Sequence, residues 1–305
     1  MTQLVEPYTI QSRWSDPGPH AAWLAAIPPA PQAVVRHVSN LVTHCLTARL
    51  RGLAVPERAL RDVEVRTAAG MLERVVARDA GAVTRPRGDA ERFWGVCAHF
   101  ALLATAVLRL HGVPARSRVG FARYFVPGSF EDHWVTEYWQ DGEWNLLDAQ
   151  LDDATLAALG IRFRPWDVPR DQFVDASTAW RRMRAGDIPP DRVGLTVIGL
   201  TGPWFAAQSV LRDVAALNRE ETLPWDTWGP GREGGPARAR GPGRVRRADR
   251  HDRGQGARDA ERRAGRPRLR RDAVAARHAH HLDARLRARL ARWRAGGADI
   301  VAGKS

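Results

Sequence analysis

The chain has 305 residues, 44% of them hydrophobic, with two cysteines and a formal net charge of +13 at pH 7. That apolar fraction suffices for one large core or two small ones, and two cysteines exclude a disulfide framework. The N-terminus, MTQLVEPYTIQSRWSDPGPH, has neither a basic start nor an apolar run, so no secretory signal is expected and a reducing cytoplasm fits both facts.

In chain order, the proline-rich stretch 28–31 precedes apolar residues at helical spacing, Val34, Val35, Val38, Leu41, Val42 and Cys45, which predict a helix over 32–51 ended by Gly52. Cys45 reads there as a small buried hydrophobe. Pro56 starts a second helix, to about residue 78, carrying Leu60, Val63 and Met71. A third, over 97–110, carries Phe100, Leu103, Val107 and Leu110 and is closed by Gly112 and Pro114. A strand is expected over 116–125 and a loop over 126–132 that covers the following histidine.

The run HWVTEYW (133–139) alternates bulky and polar residues, Asp141-Gly142 is a tight-turn dipeptide, and EWNLLD (143–148) extends again, so a β-hairpin is predicted. With Asp141 and Gly142 as the loop, Gln140 faces Glu143, Trp139 faces Trp144, and His133 and Asp148 fall on one face as diagonal neighbours, about 7–8 Å apart. Further helices are expected over 156–160, 172–184 and 209–220. The uncharged stretch 193–211 is about membrane length, but its glycines, Pro203, Gln208 and Ser209 favour a buried core segment.

Cys97, at a helix start after Gly95-Val96, would be favoured as a thiolate by the unpaired amides of the first turn. A thiol, an imidazole and a carboxylate in this order suit nucleophilic catalysis. Cys97 and His99 form a C-x-H pair, but no second ligand cluster accompanies them, so a zinc site is not expected. His20, His37, His44 and His111 read as structural or solvent-facing. Trp134, Trp139 and Trp144 read as hairpin packing, although Trp139 and Trp144 share the face of His133 and could line an acyl groove.

The strings GVCAHFALLATAVLRLHGVPARSRVGFARYF, DHWVTEYW and GEWNLLDAQLD resemble the transglutaminase-like superfamily, whose cysteine opens a helix, whose histidine starts a strand and whose aspartate ends the next. The resemblance covers about 93–153. Asp148 is followed here by Ala149-Gln150 rather than the proline often found in the family. The implied fold is α+β, papain-like (the cysteine proteinase and transglutaminase core), over residues 1–228 with an N-terminal helical lobe.

The implied chemistry is acyl transfer or hydrolysis at an amide of a peptide or protein, as in a transglutaminase, amidase or cysteine protease. Cys97 would be the nucleophile, His133 the proton shuttle and Asp148 its orienting partner, with no metal or organic cofactor. The Cys97 amide is the first expected oxyanion donor; a second must come from upstream, with Trp94 a candidate by proximity. Two alternatives stand beside this reading. One is a catalytically silent binding module of the same fold. The other is an arylamine N-acetyltransferase-like acyltransferase, disfavoured because that family's arginine-rich cysteine loop is missing around 93–100.

The basic charge is confined to one end. Of 47 bases and 34 acids, residues 229–305 hold 21 Arg and one Lys against 8 acids, which leaves 25 bases and 26 acids in 1–228. The folded part is therefore expected to contact neither nucleic acid nor membrane through net charge. The Arg/Ala/Gly-rich tail has too few large apolar residues to offset its ordering entropy, so disorder is expected, with one amphipathic helix permitted over 273–293. The abrupt change after LPWDTWG also resembles GC-rich DNA read out of frame, which resequencing the locus would check. A tail of this charge could alternatively bind nucleic acid or acidic partners.

Overall fold

A computed structural model describes residues 5–48 and 52–228. They belong to the first of two units, Met1–Gly235. The expectations for the arginine-rich tail lie outside the described residues.

The N-terminal lobe is helical: α1 (Ala21–Leu24), α2 (Pro31–Leu41), α3 (Ala59–Asp62) and α4 (Ala68–Arg78). Two expected helices are shorter than their periodicity suggested. The first ends at Leu41, because Val42–His44 form β1, a short strand paired in parallel with β2 (Phe93–Gly95). Apolar spacing continues across the break, but the β-branched pair Val42-Thr43 finds a partner fifty residues downstream. Cys45 therefore follows a strand and is half-buried. The second is broken into α3 and α4, and Thr67 caps the latter by accepting from the Gly70 amide.

The chain then enters α5 (Cys97–Leu110), whose residues are buried from Cys97 through Arg109. Leu103, Val107 and Leu108 are fully enclosed, each worth about 1.5–3 kcal/mol of burial. His99 fixes the start: its Nδ1 accepts from the Val96 amide at 3.0 Å, and its Nε2 donates to the Val65 carbonyl at 3.0 Å. Both ring nitrogens are thus engaged by backbone, and burial lowers the pKa to about 4.

The main sheet runs β6-β3-β4-β7-β8, with β5 also paired to β4. β3 (Ala115–Ala122) and β4 (Phe130–Gln140) are antiparallel over their length, and β6 (Phe173–Asp175) adds to β3. β5 (Glu143–Leu147) returns from a turn in which Asp141 and Gly142 take φ of 55° and 87°, as a type I′ hairpin requires. Gln140 faces Glu143 and Trp139 faces Trp144, the register expected.

Elsewhere the boundaries move. The expected loop 126–132 ends early, since β4 begins at Phe130. The expected helix over 172–184 starts as β6 before α7 (Ala176–Ala185). The helix expected over 156–160 is α6 (Asp153–Leu159), and Gly160 ends it with φ 64°. The apolar stretch 193–211 is divided among β7 (Val193–Leu195), β8 (Leu200–Thr201) and the start of α8 (Pro203–Leu217). Among the described residues no helix is long and apolar enough to cross a membrane.

Candidate active site

One edge of β4 is occupied by β3, so β5 and β7 share the other. β7 pairs only with Phe130 and Glu131, and β5 reaches only to Thr136. Residues 132–135 are left between them. His133 and Asp148 meet at this gap, and the Cys97 sulfur lies against the Trp134 amide within it.

His133 projects from β4 and its Nε2 lies 2.7 Å from Asp148 Oδ2. Asp148 stands one residue beyond the end of β5 and is held by its neighbours. Its amide donates to the Pro165 carbonyl at 2.7 Å, and its Oδ1 accepts from the Gln150 amide at 3.0 Å. That local turn needs no proline after the aspartate, so Ala149-Gln150 serves in its place. Oδ2 also accepts from the Tyr124 hydroxyl at 2.7 Å. The rings of Phe125 and Tyr124 meet the imidazole edge-on at 4.9 and 5.9 Å. The residues covering His133 are thus the pair just after β3, not the expected loop over 126–132.

Cys97 approaches from the opposite face. α5 packs beneath the even-numbered residues of β4, where Thr136 Oγ1 donates to the Ala101 carbonyl at 3.0 Å and Trp134 shares a buried cluster with Cys97. At the helix start the thiol is only 7% exposed. Burial pushes its pKa well above the usual value, and the charge of Asp132 adds to this. The backbone amide of Trp134 acts on the sulfur in the opposite direction, with Asp148 raising and the Ala98 amide lowering it more weakly. Burial beside two carboxylates thus disfavours the thiolate expected from the helix terminus alone, because one helix end does not compensate for desolvation.

Arg212 was not singled out from the sequence, and Asp132, beside Glu131, was expected in a solvated loop but lies in β4. Both are buried; Asp132, on β4, acts electrostatically on the sulfur, and Cys97 and Asp132 both act on the guanidinium of Arg212, on α8. Burial raises the carboxyl pKa of Asp132, against the lowering influence of Arg212, and Ser209 Oγ lies 3.5 Å from its Oδ1. Tyr124 was likewise missed; its only trace in the sequence was an aromatic pair closing a strand.

The Trp94 amide donates to Asp62 Oδ2 at 3.1 Å, and the Trp94 indole packs with Ala48 and Ala59, with Nε1 buried and without a hydrogen-bond partner among the described residues. Trp139 and Trp144 meet at 5.4 Å, but Arg116 covers the Trp144 ring at 3.9 Å and Tyr8 abuts it at 5.5 Å. That stack is closed packing at the hairpin end. Among the described residues no group of three or more metal-ligating side chains converges.

A central helix opened by cysteine and packed on an antiparallel sheet, with histidine and aspartate bonded at a strand edge, defines an α+β protein of papain-like architecture. Residues 64–149 match the family model described as the transglutaminase-like superfamily. No curated protein matches the chain. Among solved structures, a protein from Cytophaga hutchinsonii described as a putative cysteine protease is similar at 19% identity and a TM-score of 0.34, over 57% of this chain and 48% of that one. Red sea bream transglutaminase is similar at 19% identity and a TM-score of 0.29, over 45% of this chain and 26% of that one. The chain thus spans about half the length of the first and about a quarter of the second.

Proposed function

We propose that this protein is a thiol-dependent enzyme that transfers or hydrolyses the acyl group of a peptide or protein amide through a thioester on Cys97. The observation that carries the reading is the 2.7 Å bond from His133 Nε2 to Asp148 Oδ2, formed beside the strand segment whose Trp134 amide acts on the Cys97 sulfur.

With Nε2–H donated to the carboxylate, the imidazole is held in one tautomer and its Nδ1 is the nitrogen left to accept a proton. Since the thiol rests neutral, deprotonation accompanies attack rather than preceding it. Sγ bonds to the carbonyl carbon as its proton passes to Nδ1, the tetrahedral adduct collapses with loss of the C–N bond, and the amine departs with that proton. Water or a second amine then attacks the thioester, giving up its proton to the same imidazole. The Cys97 amide, in the first turn of α5, has no carbonyl within the helix to bond and is aimed where the oxyanion develops. Tyr124 and the Gln150 amide hold Asp148 in place, so the carboxylate cannot rotate away from the ring.

The enclosure of the sulfur favours one rival reading, a binding module of this fold without turnover. Intact-mass measurement after incubation with a mixed library of acyl amides decides between them. An acyl adduct on Cys97 and not on Cys45, absent in Cys97→Ala and slowed by about 10²–10⁴ in His133→Ala, supports the enzyme. No adduct and no released amine supports the binding module.

A further inference from the structure

The structure assigns to His44 the second donor of the oxyanion hole: β1 ends with His44 directly across from Gly95, two residues before Cys97, and its Nδ1 accepts the amides of Leu46 and Thr47, leaving the proton on Nε2. The inference rests on the acyl-transfer reading above. It concerns a histidine read from the sequence as structural or solvent-facing.

Three features bring His44 to the site. Parallel pairing of β1 with β2 sets it beside the strand that leads into α5, and the Cys45 amide donates to the Gly95 carbonyl at 2.9 Å to lock that pairing. Its ring lies 6.1 Å from that of Phe100, which is one turn beyond Cys97 on the same face of α5. It also lines a small cavity with Phe100 and Gln150, the residue just past the carboxylate that holds His133. His133 and Asp148 are near enough to act on its charge.

The tautomer follows from the backbone. Two amides at 3.2 and 3.3 Å point at Nδ1, which must then be the acceptor, so the remaining ring proton sits on Nε2. Among the described residues Nε2 has no hydrogen-bond partner, and the residue as a whole is half-buried. Burial and the His133 charge lower the pKa to about 3, so the ring is neutral throughout the working range. A neutral donor held in advance by fixed amides is what stabilisation of a developing oxyanion requires, and it adds no second positive charge beside a protonated His133. The substrate carbonyl oxygen would sit between the Cys97 amide and His44 Nε2.

The test compares two reactions of Cys97 in the full chain at pH 8. Acylation by p-nitrophenyl acetate passes through an oxyanion, whereas alkylation by iodoacetamide displaces iodide at a saturated carbon and forms none. His44→Asn keeps an oxygen at the Nδ1 position for the two amides but removes Nε2, and His44→Gln restores a donor near Nε2. Expected for His44→Asn is acylation slowed by about 10²–10³ with alkylation unchanged, and recovery in His44→Gln to within about tenfold of the parent. Equal slowing of both reactions in His44→Asn, or no slowing of acylation, overturns the assignment while leaving the acyl-transfer reading intact. Failure of the parent protein to acylate at Cys97 removes both.

Discussion

The Cys97 thiol is held neutral by its enclosure and by the Asp132 charge, and this gives its reactivity a direction with pH. A raised thiol pKa means that the folded protein keeps its proton where a free thiol, near pKa 8.5, begins to lose it. The fold consequently loses stability as pH rises above about 8.5, and alkylation of Cys97 should climb through this range without the acid plateau of a preformed thiolate. Asp132→Asn removes the larger of the two carboxylate influences. It should shift the alkylation profile to lower pH and raise the rate at pH 7 several-fold, as read by mass spectrometry of the adduct; an unchanged profile would show that Asp132 does not set the thiol's state. That His133 and Asp148 meet was legible in residue type, order and hairpin register. The raised thiol pKa was not, because desolvation and the Asp132 charge arise from packing between α5 and β4.

The hairpin β4–β5 carries two of the three residues, and its precision depends on a two-residue turn. Asp141 and Gly142 both lie in the left-handed region, which a β-branched residue occupies only with strain of about 1–2 kcal/mol. Gly142→Val should therefore lower unfolding free energy by about that amount in urea titration and, by loosening the register, should slow acylation of Cys97. Loss of stability without any effect on acylation would separate the turn from the site. A second glycine acts through space. Gly120 faces His133 across β3, and a Cβ there would run into the Val174 carbonyl oxygen of β6, so the strand pairing admits no side chain. Local elements such as this hairpin and α5 could be read directly, since turn chemistry and apolar spacing act within a few residues. The strand β1 could not, because Val42–His44 extend only by pairing with Phe93–Gly95.

Both ends of the described chain converge on α5 through a buried ion pair. Arg109 Nη1 lies 3.0 Å from Glu221 Oε1 and 2.9 Å from Ser15 Oγ, and Ser12 Oγ donates to Glu221 Oε2 at 2.6 Å. The two charged side chains are 0% and 2% exposed. Removing one partner leaves an uncompensated buried charge, so Glu221→Ala should cost about 3–5 kcal/mol. Chemical denaturation should show this as a lower midpoint with unchanged slope, and a loss under 1 kcal/mol would mean that water reaches the pair. Farther along, Arg66 makes a two-pronged bond to Asp226, and the amide and carbonyl of Trp228 bond the Gln208 side chain. The segment through Trp228 is thus tied to the rest of the fold.

Composition, helical periodicity, the Asp141-Gly142 turn and the order of cysteine, histidine and aspartate were enough to derive an α+β chain with a hairpin bearing two of the site residues. These are properties of short stretches, where side-chain spacing and backbone preference decide the outcome. Tertiary structure alone decided that β5 stops short of His133, that β7 touches only the start of β4, and that Tyr124 bonds Asp148 and Asp132 acts on Cys97 beside the gap between them. Such convergence depends on where strands end against one another and on how much water they exclude, and neither is written in any one segment.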